Sequence, residues 1–234
     1  MSEREHAVEP SSGSSSKPPS PSERSGFLGF VAHEMRNPLS TALWSAELLV
    51  RLSPEERGGA RGEKLSGMCL RALQRLRYLV EDHFLAERLD VSGIPLRPET
   101  VSVREAVDAV AAKAAIGELT VEIEEDLAVF ADRGMLERAI DGVLAAAAHG
   151  KTPVRLQASR TSEMAVLRFR GASPPADALQ PPQKGTASDP TGRALALHMA
   201  VRVTEALGGS LATAEDDYLL ALPLAGQETS AGPA

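Results

Sequence analysis

Apolar residues recur with helical spacing through the first third of the chain and with strand-like alternation through most of the rest. Leu28, Val31, Met35, Leu39, Ala42, Ala46 and Leu49 follow one another at steps of three and four, which predicts an amphipathic helix over 26–52. Pro38 falls inside this stripe, where its missing N–H predicts a bend. Residues 53–62, with Pro54 and three glycines, interrupt the pattern. A second stripe, Leu65, Cys69, Ala72, Leu76, Leu79, His83 and Ala86, predicts a second helix. Two helices joined by a short turn make an antiparallel hairpin, here over 26–90. A lone hairpin has little to bury its stripe against, so pairing with a second copy into a four-helix bundle dimer is expected.

Residues 91–100 carry Gly93, Pro95 and Pro98 and read as a linker. Beyond it, Ser102 and Glu105 have the spacing of a capping box that opens a helix to about residue 115. Alternation predicts strands at 119–124, 128–131, 154–159, 165–169, 210–213 and 218–222. Helices are expected from Asp132 to about 149 and over 192–207, the latter ended by Gly208-Gly209. Residues 171–191 hold five prolines and read as a long loop. The segment 101–224 therefore predicts an α+β sandwich, with helices on one face of a mixed sheet. Residues 1–25, with nine serines and four prolines, and residues 225–234 are expected as disordered tails.

Composition narrows the classes of function. With one Trp, two Tyr and five Phe among 234 residues, the core must be built from Leu, Val and Ala. A formal net charge of −7 argues against nucleic acid as the main ligand, because phosphate contacts need clustered cations. The single cysteine, Cys69, excludes an intramolecular disulfide and a Cys-rich zinc site and fits a reducing compartment. No apolar run approaches the ~18 residues of a spanning helix, and the N-terminus lacks a signal-peptide core. A cytoplasmic protein with no membrane contact is expected.

The stretch from Phe27 to Leu39, FLGFVAHEMRNPL, concentrates the candidate chemistry. His33 lies about 200° round the helix from both Val31 and Met35, which places its imidazole on the solvent side. A neutral imidazole is a competent nucleophile, and an adjacent carboxylate such as Glu34 can orient the ring and accept its proton. Asn37 follows one turn on. Trp44 stands eleven residues beyond His33, about 20° away in phase and roughly 16 Å along the axis. It either packs against the second domain or anchors a partner, and Arg36, Ser40 and Thr41 complete the surface between the two.

This string resembles the H-box of two-component histidine kinases, a phosphoacceptor His followed by Glu, two variable residues, Asn, Pro and Leu. The resemblance implies that His33 carries a phosphoryl group, that Glu34 is its acid/base partner and that Asn37 assists phosphorylation or dephosphorylation. Pro38 would supply the family's helix bend. It extends to the second domain, whose order of strands and helices is similar to the family's ATP-binding domain. Gly192 to Leu211 resembles the last glycine box, helix and Gly-Gly-Ser ending.

The nucleotide-binding details depart from the family. Its Mg²⁺-holding Asn is matched by Ala146, and an upstream Asn position by Gly142. An alanine methyl cannot ligate a cation that demands oxygen. The Asp-x-Gly-x-Gly box is matched by Gly171-Ala172-Ser173-Pro174-Pro175, with no Asp. The Gly-x-Gly-x-Gly box reads Gly192, Ala194 and Ala196, and the lid lacks its Phe. No Asn occurs anywhere in 132–196, so a shifted register recovers no ligand. Loss of ATP and Mg²⁺ binding is expected, leaving no cofactor of its own. The chain then reads as a phosphotransfer protein that exchanges a phosphoryl group on His33 with response-regulator receiver domains, the receiver supplying Mg²⁺. The Arg36, Ser40, Thr41 and Trp44 surface would dock that receiver. An active soluble histidine kinase and a non-catalytic receiver- or kinase-binding module are the alternatives.

Other residues carry weaker signals. His83 falls on the apolar stripe and is expected to be a satisfied core residue, and Cys69 a buried, inert one. His149 and His198 lack the spaced partners of a metal site. Glu122, Glu124, Glu125 and Asp126 read as a solvated strand edge and turn.

Overall fold

A computed structural model describes residues 21–91, 95–113, 118–148, 153–182 and 193–226. Helix α1 (Pro21–Arg51) and helix α3 (Ala60–Val91) form the hairpin, with the short helix α2 (Pro54–Arg57) in the turn. Helix α1 starts inside the segment expected as a disordered tail. Pro21 opens it, where a proline's fixed φ suits a first helical turn and its absent N–H is not needed. The remainder of that expected tail, and 227–234 of the other, lie outside the described residues. The turn is tied by a capping box: the Glu56 N–H donates to Ser53 Oγ and the Ser53 N–H to Glu56 Oε2, both at 3.2 Å. Arg57 then donates to the carbonyls of Val50 and Leu52 and closes the end of α1.

The stripe on α1 differs from the expected one. Phe30, Val31, Glu34, Ala42, Ser45 and Leu52 are buried against α3, while Leu28 and Leu39 are exposed and Ala46 is solvent-facing. The expected stripe merges two faces: one packs on α3, and a second, with Leu28, Leu39, Leu43 and Val50, is about 115° round the helix. Helix α3 repeats this arrangement. Leu65, Ala72, Leu79 and Ala86 face α1, while Leu70, Leu73, Val80 and Phe84 stay exposed. Cys69 lies between the faces and is half-buried, which corrects its expected burial.

The second half starts earlier than expected. Strand β1 (Glu99–Ser102) occupies the end of the expected linker and pairs antiparallel with β3 (Ala128–Ala131). Ser102 caps helix α4 (Val103–Ala111) by accepting from the Glu105 N–H at 3.4 Å. The Glu105 carboxylate does not close a capping box, because Arg133 Nη2 holds it at 2.9 Å. Strands β2 (Leu119–Ile123), β4 (Val154–Thr161), β5 (Met164–Arg170), β6 (Ser210–Ala214) and β7 (Asp217–Pro223) form one sheet in the order β2-β4-β5-β7-β6. Only the β2–β4 pair is parallel. Helices α4, α5 (Arg133–Ala147) and α6 (Arg193–Ala206) cover one face. The core there is mostly aliphatic, built on Leu136, Ile140, Leu144, Leu156, Leu167 and Leu220, with Phe169 its largest fully buried side chain.

Two features fix how the halves meet. Leu195 and Met199 of α6 pack on Phe30 and Val31 of α1 and on Leu79 and Ala86 of α3. Arg138 of α5 forms an ion pair with Asp82 of α3. The expected end of the second domain is also tied in, because the Ala225 N–H donates to the Ala128 carbonyl at 3.0 Å.

Candidate functional site

Helix α1 sorts the H-box side chains by phase. His33, Arg36, Asn37, Ser40 and Trp44 are all exposed, with Trp44 at 54%. His33, Asn37, Ser40 and Trp44 fall within about 60° of one another around the axis, clear of both the α3-facing and the second apolar stripe. Thr41 borders this surface and donates its hydroxyl back to the Asn37 carbonyl at 3.1 Å. Among the described residues Trp44 belongs to neither hydrophobic core cluster.

Glu34 separates from His33 in a way that adjacency in sequence does not reveal. It is only 3% exposed and lines a cavity of about 310 Å³ between α1 and α3, with Asn37, Thr41, Arg71 and Arg75 among its walls. Pro38 also borders this cavity, and because proline has no N–H, the Glu34 carbonyl lacks its usual intrahelical donor there. Asn37 and Thr41 each reach both the exposed face and the cavity. Arg71 and Arg75 were not singled out from sequence. Their spacing of four on the flank of the α3 stripe is the signal that could have found them.

Near the start of α1, Phe27 lies between two histidines. Its ring centroid is 6.5 Å from that of His83 on α3 and 5.2 Å from that of His198 on α6. Neither histidine is a satisfied core residue, since each has a buried Nδ1 with no hydrogen-bond partner. Burial pushes the His198 pKa down to about 4. Among the described residues no group of acidic, His and Cys side chains could hold a metal. His149 lies outside them.

The positions matched to nucleotide boxes converge on a second cavity, of about 590 Å³, at the N-terminal end of α6. Ala146, Ala172, Ser173 and Ala194 line it, joined by Arg193 and Tyr218. Gly192 lies outside the described residues. Ala146, at the position matched to the family's Asn, presents a methyl to this cavity. Gly142 has no room for one: a Cβ there would stand 2.5 Å from the Ala196 carbonyl and 3.0 Å from the Ala200 Cβ. Asp177 and Gln180 also line this cavity. The expected acidic turn is solvent-facing, though partly engaged, with Glu122 accepting from Gln157 and Glu124 from the Arg160 N–H at 2.6 Å each.

Comparison with known proteins agrees with the hairpin geometry. Residues 23–91 match the family described as "His Kinase A (phospho-acceptor) domain". No curated protein matches the sequence. Among solved structures, the chain resembles Acinetobacter baumannii histidine kinase AdeS at 15% identity and a TM-score of 0.63, covering 83% of this chain and 98% of that one. It also resembles full-length ShkA, solved in complex with AMPPNP, at 19% identity and a TM-score of 0.57. That match covers 84% of this chain and 45% of ShkA, so the chain spans under half of that relative. At these identities the likeness establishes the fold. No described helix is long and apolar enough to cross a membrane.

Proposed function

We propose, from the premise that the chain belongs to the two-component histidine kinase family through its phospho-acceptor domain, that His33 accepts a phosphoryl group from an aspartyl phosphate on a receiver domain and passes it to another. The observation that carries this reading is a contrast within one molecule. An exposed His33 and Asn37 stand on an ordered helix, while the cavity that should supply phosphate carries the Ala146 methyl.

In the transfer, a lone pair on a ring nitrogen of neutral His33 attacks phosphorus. The N–P bond forms as the P–O bond to the receiver's Asp breaks, and the electron pair leaves with the Asp carboxylate. The proton on the other ring nitrogen passes to solvent, which the exposed ring meets directly, leaving neutral phosphohistidine. The receiver supplies Mg²⁺. Exposure of His33 suits the reaction, because a partner's phosphate must approach it in line. Trp44, Arg36, Ser40 and Thr41 form the docking surface. An exposed Trp on a polar face is a natural anchor for a partner.

The exposed apolar residues that recur along α1 and α3 support homodimerisation through the hairpin, since a second copy can cover them. To test the function, the protein is mixed with a receiver labelled on its Asp, and label on each chain is followed. Wild type takes up label, whereas His33→Gln takes up none. Equal uptake by the variant would refute the assignment. A kinase that phosphorylates itself from ATP is the second reading, favoured only by the persistence of an open cavity at the altered boxes.

A further inference from the structure

Glu34 follows His33 in sequence but belongs to a different part of the molecule. Its side chain is buried and lines the cavity between α1 and α3, about 100° round the helix from the exposed imidazole. A carboxylate taken out of water destabilises the fold unless a cation or several donors stand beside it. Two cations line the same cavity, Arg71 and Arg75. The packing of the hairpin decides between them. Leu79 of α3 clusters with Phe30 and Val31 of α1, while Ala72 shares the cavity with Pro38 and Thr41. Because the helices run antiparallel, Arg75, between Ala72 and Leu79, comes level with residues 34–37. Arg75 is also half-buried, whereas Arg71 is exposed. Neither Glu34 nor Arg75 is without a partner. The five N–H donors of a guanidinium suffice for the Glu34 carboxylate and for its carbonyl, which Pro38 deprives of the usual intrahelical donor.

We propose that Glu34 and Arg75 form a charge pair across the hairpin that fixes the rotation of α1, making Arg75 a positioning residue for His33 and leaving Glu34 no part as its base. The pair holds the helix at the residue next to His33, and so sets the direction in which the imidazole meets a partner's phosphate. Helix α1 needs such a hold here. Pro38 removes a backbone hydrogen bond one turn on, and the next positions facing α3 are the small Ala42 and Ser45. The functional half of the proposal rests on phosphotransfer by His33, and the pairing rests on packing alone.

The test follows uptake of label from an Asp-phosphorylated receiver by the full chain in four forms: wild type, Glu34→Gln, Arg75→Met and the double variant. Each single variant leaves one charge of the pair uncompensated. Its maximal rate of uptake should fall about tenfold, with the receiver concentration for half-maximal uptake unchanged. The double variant removes both charges and should recover to within about threefold of wild type, with the same pH profile, although no carboxylate then follows His33. A proton-accepting Glu34 requires the opposite. A double variant as slow as Glu34→Gln overturns the proposal, as do single variants that match wild type. Melting curves of the same four proteins report the pairing without phosphotransfer, the double variant melting above either single one. Should a single variant be unfolded at the assay temperature, the rate of the double variant decides. Wild type that takes up no label refutes phosphotransfer instead, and the melts then decide the pairing, which a double variant melting below both single ones overturns.

Discussion

Helix α1 places His33, Asn37 and Trp44 in solvent and keeps Glu34 inside, whereas α5 and α6 turn alanines toward the cavity they border. Both halves keep their architecture. The hairpin packs along a regular stripe, and the sheet domain buries an aliphatic core under three helices. The difference lies in the polar side chains at the two candidate sites. Burial of apolar surface holds a fold in place through many small, interchangeable contributions, while a metal site needs a particular oxygen at a particular position. A fold can therefore tolerate changes at single polar positions, and Gly142 marks one where the packing itself leaves no space for a side chain. Its missing side chain is what lets α5 approach the Ala196 carbonyl of α6.

The largest expected effect tests the hairpin side of this comparison. Replacing Leu39 and Leu43 together with Glu puts two charges on the exposed stripe of α1. The dimer should dissociate to monomer at micromolar concentration, at least a 100-fold loss of affinity, roughly 3 kcal/mol or more, as read by light scattering. A variant that remains dimeric would place the interface elsewhere. On the other side, Gly142→Asn inserts the family's polar group where there is no room. We expect a cost of about 3 kcal/mol from overpacking and a melting temperature lower by about 6–12 °C. An unaltered melt would show that the two helices separate freely.

The smallest effect concerns the contact between the halves. The His198 pKa is pushed down to about 4 from the ordinary 6.5 by burial, so the folded state binds fewer protons than the unfolded state between those values. Stability is then fully present above pH 6.5 and falls as pH drops toward 4. The loss should be roughly 2 kcal/mol, allowing for partial exposure. His198→Gln should flatten this part of the profile. A profile as steep in the variant would assign the slope to other groups.

Much of this architecture was legible in the sequence, and the misses have physical causes. Alternation located β4, β5 and β7 within two residues because each has one buried face. Strand β1 escaped because it is four residues long, follows Pro98 and has one buried position. The α1 stripe was misread because a bundle helix has two apolar faces, and Leu28, Val31 and Leu39 are consistent with a single broad one until packing separates them. The H-box residues were readable as a motif, yet the burial of Glu34 depends on α3, and the Arg71–Arg75 wall belongs to a different helix. Phe27 between His83 and His198 joins three helices, a relation no local pattern encodes.

The central claim is that phosphate reaches His33 from a receiver and not from ATP. Its most direct test divides one preparation of wild-type protein between two phosphate donors, Mg²⁺ with terminally labelled ATP, and a receiver labelled on its Asp, and then measures acid-labile, base-stable label on the chain. The account predicts label from the receiver only, absent in His33→Gln. Label from ATP on His33, in protein free of any other kinase, would contradict it.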